Sequence, residues 1–475
     1  MIGRIILIVL TFLLLTGTLN SQVSTVTVSG SDPEYAGKDL EFFLYSERTF
    51  NSVEIVANTK VNKNGAFSVS FPLEKTQCLY CNTPLYRAFV FVEPGKTYNV
   101  KLPPYPSSSI ESKKYPFYIP PQWHMVPMEE HKNEVGELNL AIYTFDQQFE
   151  PFLDKQILRY YNPKQSRMML DSFILANQEI SVLGDNEYFE GYTLYKMAIL
   201  GFLVNQFSHS DLYDDYLKNK PVQENNPSWW EFFKLYYDRY LSSLTKKEEF
   251  SDAYSLIGKG SFYALNQLLK NDPALYDDKI REWVILKEIH NSYYENSLPL
   301  STVNNLCDSL SENSSSDVSK ILAAHIKRDI SLLLQGSLPP SAQVLNSAGD
   351  TLDISSLKGK YSYLGFCSLN SRECLQEFEY LKYFFHKHGK YIDILVILPE
   401  SEKETIASFT EENSIPWVFW YALDNSRVLK DYKVMAYPVF YLLDREGRLI
   451  MSPASMPSAG FEQHLFQILK GRGEI

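Results

Sequence analysis

Gly359-Lys360-Tyr361-Ser362-Tyr363-Leu364-Gly365-Phe366-Cys367-Ser368-Leu369-Asn370-Ser371-Arg372-Glu373-Cys374-Leu375-Gln376-Glu377 is the stretch on which the fold turns. Its apolar run, Tyr361 to Phe366, predicts a strand, a polar loop follows, and a helix is predicted to begin near Ser371. Side chains at a helix's first turn lie among backbone N–H groups that lack an intrahelical partner, and a thiol there is stabilised as thiolate. Two thiols, Cys367 and Cys374, and the hydroxyl of Ser371 occupy this stretch.

Downstream, strand and helix patterns alternate. Glu373 to His388 reads as a helix that ends at Gly389, with His386, Lys387 and His388 placed where the helix dipole favours positive charge. Ile392 to Leu398 reads as a buried strand and Glu402 to Asn413 as a second helix. A hairpin, Val439 to Asp444 and Arg448 to Met451, turns at Glu446-Gly447, and Phe461 to Lys470 is the last helix. This order predicts an α/β unit over residues 336–475, its parallel or mixed sheet covered on both faces.

Upstream, residues 22–104 carry short alternating strands, among them Leu40 to Tyr45, Ala66 to Phe71 and Ala88 to Val92, with a turn signal at Asn62-Lys63-Asn64-Gly65. They predict an antiparallel β-sandwich. Residues 105–129 are rich in Pro, Ser and aromatics and read as a linker or a strap. Residues 130–335 switch to helical period and predict an all-α domain. Leu138, Ile142, Phe145, Phe149 and Phe152 form one stripe, and Val318, Leu322, Ile326, Ile330 and Leu333 form another, led by Ser316 or Asp317 as cap. Pro227 introduces Trp229-Trp230-Glu231-Phe232-Phe233. No repeat of fixed period appears, and a solenoid is not expected.

At 475 residues the chain exceeds what one core supports. Its net charge of −12 and the lack of a basic stripe argue against nucleic acid as a partner. Arg4, the apolar run Ile5 to Leu15, and small or polar residues to Ser21 predict a non-lipidated secretory signal over residues 1–21. The run is too short to span a bilayer, and no later segment reads as a membrane span. An exported, periplasmic, oxidising location is therefore expected. Five cysteines, an odd number, leave at least one thiol unpaired within the chain. Cys78-Leu79-Tyr80-Cys81 lacks the second pair of a zinc site and is expected to close a small loop disulfide, Cys78 to Cys81. Cys307 reads as a core residue. His386-x-His388 reads as the basic end of a helix, so no metal and no cofactor is expected.

The C-terminal region resembles the thioredoxin-like domain of exported thiol–disulfide reductases of the TlpA/ResA type. The resemblance rests on Leu338-Pro339-Pro340, Asp350 to Leu357, Gly359-Lys360, the strand–loop–helix stretch, and Tyr432, Val434 and Tyr437-Pro438 leading into Phe440 to Asp444 and Gly447. The three-part layout is similar to multidomain thioredoxin-like proteins of Gram-negative envelopes. By this resemblance the family's C-x-x-C falls on Ser371-Arg372-Glu373-Cys374. The nucleophilic position holds Ser371 and the resolving position Cys374. Pro438 corresponds to the cis-proline, and Tyr437 to the residue that presents backbone to a bound peptide.

Dithiol exchange needs one thiolate to attack and a second thiol to release the mixed disulfide. A serine hydroxyl attacks sulfur poorly, and Glu373 and Glu377 are expected to oppose ionisation of Cys374. Cys367 and Cys374 are expected to lie farther apart than the roughly 7 Å that a disulfide bridges without backbone movement. Ser371-x-x-Cys374 also imitates a peroxiredoxin motif, which requires a proline where Cys367 stands. Two functions follow. One is a degenerate thioredoxin-fold protein that binds a peptide or protein partner in the cell envelope through Ser371, Cys374, Tyr437 and Pro438. The other is an atypical or monothiol oxidoreductase that uses Cys374, with Cys367 as its possible partner.

Overall fold

The structure is a computed structural model that describes residues 23–49, 51–105, 120–127, 137–157, 172–173, 175, 186–203, 208–295, 297–346, 348–423 and 427–474. The expected signal segment and most of the expected linker lie outside the described residues.

The N-terminal region is β-rich. Its strands are β1 (Ser24–Ser31), β2 (Asp39–Glu47), β3 (Ser52–Lys60), β4 (Ala66–Leu73), β5 (Gln77–Asn82), β6 (Arg87–Val92), β7 (Thr97–Val100) and β8 (Gln122–His124). They make two sheets, ordered β4-β1-β7 and β3-β2-β5-β6-β8. Alternation along β1 buries Val26 and Val28, and along β4 it buries Phe67, Val69 and Phe71. These meet Leu40 and Phe42 of β2 and Val90 and Val92 of β6 in a core that both sheets share. Asn62 Oδ1 accepts the N–H groups of Asn64 and Ala66 at 2.8 and 3.0 Å and so closes the expected turn. Gly65 is needed there: its φ is +83°, and a Cβ would sit 2.5 Å from the backbone of Asp32.

Two expectations are corrected in this region. The pairing is not wholly antiparallel, because β1–β7 and β6–β8 run parallel. Strand β8 comes from the stretch read as a linker, and is held along β6 by Arg87 N–H to Pro121 O (3.0 Å) and Met125 N–H to Phe89 O (2.7 Å). Nor do Cys78 and Cys81 form a disulfide; both are free. They stand three apart on one strand, so alternation sends Cys81 into the core between the sheets and Cys78 to the opposite face.

The middle region is helical. Helices α1 (Leu138–Ile157) and α2 (Glu187–Leu203) lie over that opposite face. The stripe Leu138, Ile142, Phe145 and Phe149 packs on Phe43, Cys78, Tyr80 and Phe91. Asn139 locks α1 to β6, its amide donating to Phe91 O at 2.9 Å while its Oδ1 accepts Phe91 N–H at 2.7 Å. Further on, α3 (Pro227–Tyr236) and α4 (Asp278–Tyr294) bring Trp229, Trp230 and Trp283 together, the last two with ring centroids 4.7 Å apart. Arg281, 1% exposed, donates to Leu275 O at 2.7 Å and Tyr276 O at 2.9 Å, which satisfies its buried charge. Cys307 is buried in the same core. Ser316 caps α5 (Asp317–Ser331) by accepting Ser319 N–H.

Burial between α1 and the sheet shifts two titratable groups in opposite senses. Asp146 is pushed up from 3.8 to about 7 by burial, against the pull of Lys196 and Tyr192. His124 is pushed down from 6.5 to about 4, also by burial. A raised carboxyl favours the fold below its unfolded pKa, and that contribution is lost as pH rises through the folded value. Asp146 therefore weakens the fold as pH rises from about 4 to 7, whereas His124 weakens it as pH falls from 6.5 to about 4. Asp146→Asn is expected to raise the unfolding temperature by about 2–4 °C above pH 7 and to leave it unchanged near pH 4, read by thermal scans across pH. A uniform shift at every pH would refute this.

The C-terminal region is β/α. Strands β9 (Gln343–Leu345), β10 (Thr351–Asp353), β11 (Tyr361–Phe366), β12 (Ile392–Pro399), β13 (Val418–Ala422), β14 (Val439–Leu443) and β15 (Leu449–Ala454) form one sheet, ordered β10-β9-β13-β12-β11-β14-β15. Strands β11, β12 and β13 are parallel, and β14 and β15 add antiparallel to the other side of β11. Every residue of central β11 is buried, as its unbroken apolar run implies. Helices α6 (Arg372–His388) and α7 (Phe461–Gly471) cover one face, while Ile354, Val428 and Tyr432 cover the other. The helix expected from Glu402 begins at Ile406 instead, and Glu400–Glu402 form a 3-10 turn. Arg328 of α5 pairs with Asp431 at 2.9 Å, and His325 of α5 meets Ser52 and Glu47, so α5 ties the regions together. No helix among the described residues is long and apolar enough to cross a membrane.

Candidate functional site

The loop between β11 and α6 is built from both ends. Cys367 continues β11, its N–H donating to Ile397 O at 3.0 Å. Ser371 is the N-cap of α6, and its Oγ accepts Cys374 N–H at 3.3 Å and donates to Glu373 at 3.0 Å. The exposed tip of the helix thus carries a hydroxyl. Cys374 falls on the apolar stripe that it forms with Phe378 and Leu381, and this turns its sulfur inward. Both Cys367 and Cys374 are 0% exposed.

Both sulfurs lie in one buried cluster. The Cys374 sulfur receives Ser368 N–H at 3.4 Å. The Cys374 thiol is held below its ordinary range, first by Cys367, then by Ser371 and the Ser368 N–H, against burial and Glu402. Burial pushes the Cys367 thiol up, and neighbouring Cys374 adds to this. The anticipated opposition from Glu373 and Glu377 is not the controlling effect. The Glu377 carboxylate is taken up by Ser458, which donates its N–H at 2.9 Å and its hydroxyl at 2.5 Å. Cys374 is thus an ionisable thiol closed off from water.

Glu402 organises the loop and escaped the sequence reading. Its buried carboxylate accepts Ser368 Oγ–H at 2.6 Å, Leu369 N–H at 2.8 Å and the Asn370 amide at 2.9 Å. These bonds span more than thirty residues of chain, so local pattern held no sign of them. Tyr437 and Pro438 lead into β14, which pairs with β11 beside the thiol loop. Their peptide bond is cis, as is Ser452–Pro453. Pro438 is buried and Tyr437 half-buried, packed against the cluster that holds both sulfurs. The Tyr437 phenol is raised by burial first and then by the charges of Glu402, Cys374 and Cys367.

Ser371, Cys374, Tyr437 and Pro438 therefore converge with Cys367 and Glu402 at the end of β11, while Cys78 and Cys81 lie in a different region. His388 contacts Glu462 at 2.7 Å at the foot of α6. Among the described residues no group of three or more His, Cys, Asp or Glu is placed to hold a metal.

No protein-family model matches the sequence, and no curated protein matches it. Solved structures do. The thioredoxin domain of a thiol-disulfide oxidoreductase from Bacteroides vulgatus is 20% identical, covering 28% of this chain and 97% of that one, with a TM-score of 0.26. A thiol:disulfide interchange protein from Bacteroides sp. is 23% identical over 25% of this chain and 80% of that one, TM-score 0.23. An uncharacterized thioredoxin-like protein from Porphyromonas gingivalis is 14% identical over 28% and 89%, TM-score 0.25. In each case the similarity spans less than a third of the present chain.

Proposed function

We propose that residues 336–475 are a thioredoxin-like unit of an exported, periplasmic protein, that this unit binds a protein or peptide partner in the cell envelope, and that its thiol centre no longer starts dithiol exchange. Residues 22–104, read as a β-sandwich, and the helices of residues 130–335 form the platform beside it. The observation that carries this reading is the exchange of positions at the α6 tip. Ser371 presents an oxygen where attack would begin, and the Cys374 sulfur has no exposed surface. A thiolate that solvent does not reach does not meet a protein disulfide. Tyr437 and buried Pro438, at the entrance to β14 beside β11, supply the proposed contact with the partner.

In an insulin-reduction assay the wild-type chain is expected to give no turnover above the uncatalysed rate; turnover that Cys374→Ser abolishes would sink the proposal. Tyr437→Ala removes a ring packed against the cluster that holds the sulfurs and is expected to speed alkylation of Cys374 about tenfold or more, read by mass spectrometry of the folded protein. An unchanged rate would show that Tyr437 does not shield the pair.

A second reading is favoured by the burial of both sulfurs in one cluster. Cys367 and Cys374 could serve as an internal dithiol. In that step their S–H bonds are lost, one S–S bond forms, and two electrons and two protons pass to a partner disulfide, which becomes two thiols. Counting free thiols before and after a mild disulfide oxidant separates the readings. Reversible loss of two thiols that Cys367→Ser prevents supports the oxidoreductase, and an unchanged count supports the binder.

A further inference from the structure

A cleft of ≈ 2210 Å³ opens where the regions meet, and its lining shares no residue with the thiol site. Its floor is the outer face of the five-stranded sheet, with Phe43, Tyr80 and Phe89. Its walls are α1, α2 and α3, and Lys430 and Met435 reach it from the C-terminal region. Sites for small molecules are roughly 300–1,000 Å³. The cleft is larger than these and suits a chain-like occupant.

Charge indicates which chain. The protein carries a net charge of −12, yet the described residues lining the cleft include six basic and four acidic side chains. Among the acids, Asp146 accepts the Tyr192 hydroxyl, and Glu150 and Glu231 pair with Lys196 at 3.8 and 3.2 Å. Arg48, Lys101, Lys234 and Lys430 make no ion pair among the described residues. Arg48 is the central one. It is partly buried, donates to the Tyr80 hydroxyl at 3.1 Å and lies 4.6 Å over the Tyr45 ring. A guanidinium taken partly out of water without a counter-charge favours an arriving anion.

The rim indicates the rest. Val53 (50% exposed), Trp123 (37%), Tyr143 (39%) and Met435 (67%) surround the opening. Several large apolar side chains exposed in one place mark a protein-binding surface. The floor rings are poor platforms for sugars because they already pack on one another. Phe43 stacks on Tyr80 at 5.8 Å and Phe89 on His124 at 4.7 Å.

We propose that this cleft is a second binding site, for an acidic polypeptide segment that carries apolar side chains, its carboxylates meeting Arg48, Lys234 and Lys430 and its apolar groups meeting Trp123, Tyr143 and Met435. The site goes beyond the thiol groove and is tested apart from it. The full chain is titrated with a fluorescein-labelled peptide of alternating glutamate and leucine, and with the same peptide bearing lysine in place of glutamate. Binding of the acidic peptide, weakened by salt, with no binding of the basic one, is expected. Lys430→Glu, on the exposed surface, and Arg48→Gln are each expected to raise Kd about tenfold. Should Arg48→Gln fail to fold, Lys430→Glu still decides the matter. Absent binding, equal affinity for both peptides, undiminished affinity in Lys430→Glu, or displacement of the peptide by heparin at lower concentration than by unlabelled peptide would overturn the proposal.

Discussion

Ser371→Cys is expected to give the chain an insulin-reducing activity on the order of a hundredfold above the wild-type background. The physical basis is already in place. Position 371 caps a 17-residue helix, and its side chain accepts Cys374 N–H. A sulfur there would take the same hydrogen bond and the favourable end of the helix dipole, both of which stabilise thiolate. Cys374 stands three positions on, close enough to attack the mixed disulfide from within. Glu373 opposes the new thiolate and Arg372 favours it, so the introduced thiol should titrate below an ordinary cysteine, though less far than a site without the carboxylate. With Cys374→Ser added, the mixed disulfide should persist and report the natural partner. A Ser371→Cys thiol that alkylates readily yet never reduces insulin would show that the groove beside Pro438 does not admit a polypeptide.

Glu402→Ala is expected to destabilise the C-terminal region by about 3–5 kcal/mol, because three donors in the β11–α6 loop lose their acceptor and each buried, unmet donor costs roughly 1–3 kcal/mol. Glu402→Gln keeps one accepting oxygen and should cost about half as much. Chemical denaturation checks the stability. The second consequence is functional. Ser368, Leu369 and Asn370 form the segment between the two thiols, so a loosened loop should expose Cys374 to alkylation in the folded protein. If Glu402→Ala is as stable as wild type to within about 1 kcal/mol, the carboxylate is not the loop's anchor.

Both predictions rest on features of unequal visibility in the amino-acid order. The cap at Ser371 was legible, since a hydroxyl residue followed by a helical apolar pattern is a local signal. So was the inward turn of Cys374, which shares a stripe with Phe378 and Leu381. The separation of Cys78 and Cys81 was also legible in principle. Alternation along a strand places residues three apart on opposite faces, but the stretch had first to be recognised as a strand. Strand β8 was hidden because three residues between aromatic and proline-rich segments carry no period of their own. Glu402 was misread as the start of a helix, since a carboxylate at a helix start and one turned inward to a distant loop look alike locally.

The order of residues alone determined the elements. Unbroken apolar runs became central strands, stripes at three and four became helices, and turns formed where Asn and Gly allowed them, because each depends on backbone preference and side-chain period within a short span. Packing between distant segments decided the chemistry. The carboxylate of Glu402 beneath the loop and a basic cleft in an acidic chain each require groups far apart in sequence to share one volume. There, desolvation and hydrogen bonding set the charge that a side chain carries, and no local pattern records either one.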